Sequence, residues 1–125
     1  MQGKKNLPRK TAKSSMDVAI DVVGGKWKLL IVHILLKGSL RTNEILKLLP
    51  GASERILIKQ LREMERDQLV SRKVFPEVPP KVTYSLTDHG VSLKPMIEVL
   101  GKWGYDHVKK VYKQKGIAYE IVSIK

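Results

Sequence analysis

The chain has 125 residues, enough for one domain with its own core, and carries 24 Lys and Arg against 12 Asp and Glu, a formal charge of +12. Such a field attracts anions, nucleic acid foremost; an anionic membrane surface is the rival partner, but it needs a basic amphipathic helix or a lipid anchor. With no cysteine in the sequence, disulfides, thiolate metal sites and thiol redox chemistry are excluded, which fits a reducing compartment.

The N-terminal stretch MQGKKNLPRKTAKSS has no hydrophobic segment of the secretory kind. Residues 1–13 hold Lys4, Lys5, Arg9, Lys10 and Lys13 and no acid. They are expected to form a flexible basic arm, either a solubilising tail or a supplementary phosphate contact. Residues 16–23, MDVAIDVV, predict a short helix with Asp17 in its first turn and Gly24 as a left-handed stop. Residues 26–38, KWKLLIVHILLKG, follow. They are apolar on nearly every side through 36, which predicts a buried central helix capped by Gly38, with His33 as a core histidine. Its apolar run, LLIVHILL, falls far short of the ~20 residues that span a bilayer, so a cytoplasmic protein with no membrane partner is expected.

In RTNEILKLLPG, residues 41–51, Ile45, Leu48 and Leu49 recur at helical spacing, with Thr42 or Asn43 available as cap. Pro50 and Gly51 end that helix in a tight turn. Ser53 then caps ERILIKQLREMERDQLV, in which Leu57, Leu61 and Met64 form one inward stripe. Two short helices joined by residues 50–52 make a helix-turn-helix pattern. Next, Val70, Arg72 and Val74 alternate with Ser71, Lys73 and Phe75, and Val82, Tyr84 and Leu86 alternate with Lys81, Thr83 and Ser85. Period two predicts two strands, and Pro76, Pro79 and Pro80 belong in the loop between them. A hairpin directly after the second helix of a helix-turn-helix is a wing. Thr87 or Asp88 can cap a final long helix with an apolar stripe of Leu93, Ile97, Leu100, Trp103 (or Gly104), Val108 and Val111, and with Pro95 either kinking it or marking a late start. The last residues, IAYEIVSIK, alternate loosely, as a strand or an ordered tail. The fold class is therefore mainly α with a small β-hairpin, a winged helix-turn-helix.

In this order the chain resembles the HxlR-type winged helix-turn-helix regulators of bacteria, relatives of the MarR group. DVVGGKWKLLIV (21–32) resembles the family's Gly-Gly-Lys-Trp helix start, and LRTNEILKLLPGAS (40–53) its first helix-turn-helix element. LREMERDQLVSRKVFPEVPPKVTYSLTDHG (61–90) resembles the end of its recognition helix and its wing, and LKPMIEVLGKWG (93–104) its last helix. The resemblance covers roughly residues 14–110 and places the domain at 14–112, with 113–125 as a C-terminal tail. It implies a homodimer, paired through the first and last helices, that binds double-stranded operator DNA and controls transcription. Two positions depart from the family. Ser14 stands where many members have a cysteine, so thiol sensing by this chain is out, and Thr42 stands where an aromatic residue is usual.

On the predicted recognition helix, 53–67, Arg55, Lys59, Arg62 and Arg66 lie at i, i+4, i+7 and i+11. They make one basic stripe, although Glu54, Glu63, Glu65 and Asp67 interleave with it. The N-terminal part of such a helix enters the major groove, which nominates Ser53, Arg55 and Lys59 for base or near-groove contact; Arg55 can bind a guanine bidentately. Ile58 is placed either against thymine methyls or in packing. Arg62 and Arg66, further along, are phosphate contacts or solvated charges. Thr42 and Asn43 can meet a phosphate together with the free N–H groups of their helix. On the wing, about 70–87, Lys73 and Lys81 are placed on the backbone or minor groove, and Arg72 is either a contact or a paired structural residue. A two-fold protein requires a near-palindromic operator.

An enzyme is not expected. His89 and His107 are isolated in sequence, no metal-ligand spacing occurs, GGKW is not a phosphate loop, and no cofactor is implied. The alternative function is a winged-helix interaction module that does not read DNA. RNA or single-strand binding is weaker still, because exposed strand aromatics are lacking.

Overall fold

The computed structural model describes residue 11 and residues 14–118. The basic arm, residues 1–13, apart from residue 11, and the last seven residues of the alternating tail lie outside the described residues. Helix α1 spans Ser15–Val23, and Ser14 caps it, its Oγ accepting the Asp17 N–H at 3.2 Å. Gly24 follows, but with φ −66° it is not left-handed as expected; the left-handed glycine is Gly25, φ +96°. What Gly24 provides is close approach, since a Cβ there would lie 2.3 Å from the Ile20 carbonyl oxygen.

Helix α2, Lys28–Leu35, is the central helix, burying Ile31, Val32, Ile34 and Leu35. His33 is exposed, which overturns its expected place in the core. The helix closes at Leu36, and Gly38, φ +146°, turns the chain two residues later. A two-residue strand that no periodicity announced, β1 (Leu40–Arg41), then leads into α3, Thr42–Lys47. The α3 cap is Arg41, not Thr42 or Asn43, and its N–H donates to Glu44 Oε1 at 2.9 Å. Thr42 and Asn43 therefore sit inside the first turn.

After a turn through Gly51, φ +90°, Ser53 caps α4 (Glu54–Arg66), its Oγ accepting the Ile56 N–H at 3.1 Å. Leu57, Leu61 and Met64 are fully buried against the core that holds Ile31, Val32, Leu35, Ile45 and Leu49. Each such side chain contributes about 2 kcal/mol on burial. The wing strands, β2 (Val70–Phe75) and β3 (Lys81–Leu86), pair antiparallel from Val70 opposite Leu86 to Phe75 opposite Lys81. The loop between them holds Pro76, Pro79 and Pro80. Strand β1 pairs on the far side of β3, with Leu40 opposite Tyr84 and Arg41 opposite Thr83, so the sheet order is β1-β3-β2.

The single final helix expected from Thr87 is instead two. Thr87 caps α5, Asp88–Val91, by accepting the Gly90 N–H at 3.0 Å. Helix α6, Lys94–His107, starts late, with Pro95 in its first turn, where its missing N–H costs nothing. A π-helical turn, Val108–Tyr112, continues it. Leu93 and Ile97, from the apolar stripe of this helix, pack on the core, whereas Leu100 and Trp103 of the same stripe are exposed. Helix α1 likewise exposes Met16, Val18 and Ile20. The architecture is a winged helix-turn-helix.

Candidate nucleic-acid interface

Burial of Leu57, Leu61 and Met64 fixes which face of α4 points outward. Ser53, Glu54, Arg55, Ile58, Lys59, Arg62 and Glu63 line an open groove along that face. Arg55, Lys59 and Arg62 are exposed, and among the described residues no ion pair engages any of the three. Arg66, by contrast, lies 3.8 Å from Asp67. The Ser53 hydroxyl accepts its capping bond and keeps its own hydrogen free to donate outward. Ile58 is half-buried, off the core stripe as expected, and lines both this groove and the next.

That second cleft runs between α4 and the wing and is lined by Thr42, Ile58, Arg62, Glu65, Arg72, Val82 and Tyr84. Arg62 thus turns toward the hairpin, and Arg72, opposite Tyr84 in the ladder, opens onto the same space. A third groove, of about 490 Å³, joins Arg41, Thr42, Asn43 and Leu46 to Glu54 and the wing loop 77–82. Shared residues connect the three: Ile58 and Arg62 belong to the first two, Thr42 and Val82 to the second and third. The start of α3, the outer face of α4 and the wing loop therefore form one continuous margin.

Lys81 lies on this margin and also on a smaller groove with Ser39, Arg41, Asn43, Glu44 and Thr83. Lys73 lines none of these grooves. It stands on the outer face of the sheet, where its ammonium and that of Lys81 each lie 4.8 Å from the centre of the Phe75 ring. Such contacts are worth about 0.5–1 kcal/mol when exposed and hold flexible lysines in place.

Sequence reasoning missed Arg41. It is opposite Thr83 in the ladder, and Thr83 is opposite Lys73, so Arg41, Thr83 and Lys73 form one cross-sheet row. The outer cations Arg41, Lys73 and Lys81 gather within about two strand spacings, ~10 Å. The available signal was its place directly before Thr42, but nothing local told that a strand would carry it to the wing. Two carboxyls are held below their usual range: Glu63 by a hydrogen bond from Lys28, and Asp106, on α6, by one from Lys102.

Among the described residues no group of three His, Asp or Glu could hold a metal ion, and no helix is long and apolar enough to cross a membrane. His107 is stacked on Trp103 with ring centres 4.9 Å apart and meets Tyr112 edge-on at 5.0 Å.

Known proteins match this geometry. The family model described as an HxlR-like helix-turn-helix matches residues 22–112. An uncharacterised HTH-type transcriptional regulator of Bacillus subtilis, YkvN, is 43% identical over 107 residues, 86% of this chain and 89% of its own. Among solved structures, the redox regulator HypR in its reduced form superposes with a TM-score of 0.75 at 39% identity, over 81% of this chain and 99% of that one. A regulator described as of the MarR family, from Enterococcus faecalis V583, gives 0.69 at 36% identity, over 86% and 98%. A winged helix-turn-helix whose basic margin joins α4 to the wing, matched along most of its length by these proteins, belongs to the HxlR-like helix-turn-helix family of transcriptional regulators.

Proposed function

We propose that the protein is a homodimeric regulator that reads a near-palindromic operator, with α4 in the major groove and the wing on the backbone or minor groove. The observation that carries this reading is the continuous margin, in which Arg55 and Lys59, without an ion pair among the described residues, lie beside Thr42, Asn43 and Lys81. Ser53, Arg55 and Lys59 are the base-reading or near-groove residues, with Ile58 beside them. Thr42, Asn43, Arg62, Lys73, Lys81 and the added Arg41 meet phosphates. Pairing through α1 and α6 is supported by the apolar surface both expose, Met16, Val18 and Ile20 on one, Val99, Leu100 and Trp103 on the other. Two-fold pairing sets half-site centres about 34–36 Å apart or a multiple of that. The reading places the regulator domain at 14–112, between the arm and the tail, and the protein in the cytoplasm with its DNA. HypR is described as a redox regulator. This chain has no cysteine, and Ser14, at the family's cysteine position, spends its oxygen on capping α1.

The test is a titration against a randomised duplex library at near-physiological salt, with sequencing of the bound fraction. Enrichment of a two-fold-related motif is the expected result. Salt-sensitive binding without any enriched motif would reduce the +12 charge to a generic phosphate attractor and move the protein-interaction reading ahead.

A further inference from the structure

Lys28 is a charged residue inside the core. Its side chain is 8% exposed, and its ammonium donates to Glu63 Oε1 at 2.9 Å, thirty-five residues along the chain. Glu63 is 27% exposed and stands on the wall of the α4 groove, beside Lys59 and Arg62. An ion pair taken out of water gains little over well-packed apolar residues of similar size, so net stability is a poor account of it. Direction is a better one. The apolar contacts of Leu57, Leu61 and Met64 are non-directional and leave α4 some freedom to roll or slide on α2. A short hydrogen-bonded pair at the helix edge removes that freedom, and a binding face needs positions held to about 0.5 Å and 10–20°.

The pair has a second consequence. Lys59 is four residues before Glu63 and Arg66 three after it, both within helical pairing distance. An unclaimed Glu63 carboxylate would turn to one of them. Lys28 takes that carboxylate at 2.9 Å, so Lys59 acts on it only at longer range and, among the described residues, makes no ion pair.

We infer that Lys28 is a positioning residue for DNA reading: through Glu63 it fixes the rotation of α4 and leaves Lys59 available to the nucleic acid. This rests on the proposed reading of α4 as the recognition helix. The experiment compares the full-length wild type, Lys28→Arg and the double variant Lys28→Met with Glu63→Leu. Each is titrated with the enriched operator and with a scrambled duplex at one salt concentration, beside urea unfolding. The double variant keeps a packed core and a wild-type urea midpoint, but its operator preference falls about tenfold, within the range for one misplaced bidentate base contact. Lys28→Arg retains the ion pair and the preference. An unchanged preference in the double variant overturns the inference and leaves the DNA-reading function standing. If the double variant loses its fold, Lys28→Arg decides: a lost preference at a wild-type midpoint overturns the inference, a kept one supports it. A wild type with no preference to lose sinks the function and the inference together.

Discussion

Gly90 is buried where α5 meets the junction between α4 and the wing. A Cβ built there would lie 2.1 Å from the Leu69 carbonyl oxygen and 3.1 Å from Leu86 Cδ2. The same carbonyl accepts the Thr87 N–H at 3.1 Å, so α5 cannot retreat from the new methyl without loosening that bond. Overpacking of this kind costs about 1–3 kcal/mol, and a weakened hydrogen bond adds about 0.5–1.5. Alanine returns about 0.4–1 kcal/mol by restricting the unfolded chain. Gly90→Ala is therefore expected to lose about 2 kcal/mol net, within a range of about 0.5–4, which for a domain of this size lowers the melting temperature by roughly 10 °C. Gly101, in α6, is the control, because a Cβ there meets nothing within 4 Å; Gly101→Ala should gain up to about 1 kcal/mol from helix propensity. Urea unfolding of both variants, fitted for midpoint and slope, measures the difference. A Gly90→Ala protein as stable as Gly101→Ala would refute the claim that the α5 approach is closed to a side chain.

Gln68, at φ +61° between α4 and β2, should gain about 0.5 kcal/mol as Gln68→Gly: relief of about 1–2 from the left-handed backbone outweighs glycine's extra unfolded entropy. A lower urea midpoint would show that the Gln68 side chain contributes more than its backbone costs. Arg55→Ala is expected to weaken operator binding far more than non-specific binding, with about 1–3 kcal/mol of discrimination lost; equal loss on both would remove Arg55 from base reading. Arg41→Ala and Lys81→Ala should each weaken both kinds of binding and lower the salt slope by about one, so an unchanged slope argues against a phosphate contact. Because Lys28 holds the Glu63 carboxyl below its usual range, its contribution is present above the ordinary carboxylate pKa, about 4.3, and disappears as pH falls through the lower folded value. The stability gap between wild type and Glu63→Gln should narrow from pH 5 downward; a gap constant through that range would mean that the pair adds no pH-dependent stability.

Much of this fold is legible in the sequence because its elements carry strong periods. Leu57, Leu61 and Met64 mark the inner face of α4, and the alternation about Val70–Phe75 and Lys81–Leu86 marks the wing. Strand β1 escapes because two residues have no period; only pairing with Tyr84 and Thr83 makes Leu40 and Arg41 a strand. His33 misleads because its neighbours are apolar, yet Lys26, Leu30, His33 and Lys37 recur at i, i+4, i+7 and i+11 and all are exposed, a stripe that helical spacing could have revealed. Lys28 is illegible for another reason: a lysine one residue after tryptophan reads as surface until its partner, Glu63, is brought across by tertiary packing. The candidate contacts on α4 follow from its period, whereas their union with the wing loop depends on how the sheet closes against α3.

That closure has a mechanical consequence. Strand β1 is stitched to β3 on one side and runs without a linker into α3 on the other. A load applied to the wing through Lys81 passes along β3, across the ladder to Arg41, and so to Thr42 and Asn43. The hairpin is braced like a strut against the helices, not hinged to them. Under the proposed reading, adjustment to a curved duplex would fall to the DNA or to the angle between two paired copies, because this brace ties the wing of each protomer to its helices.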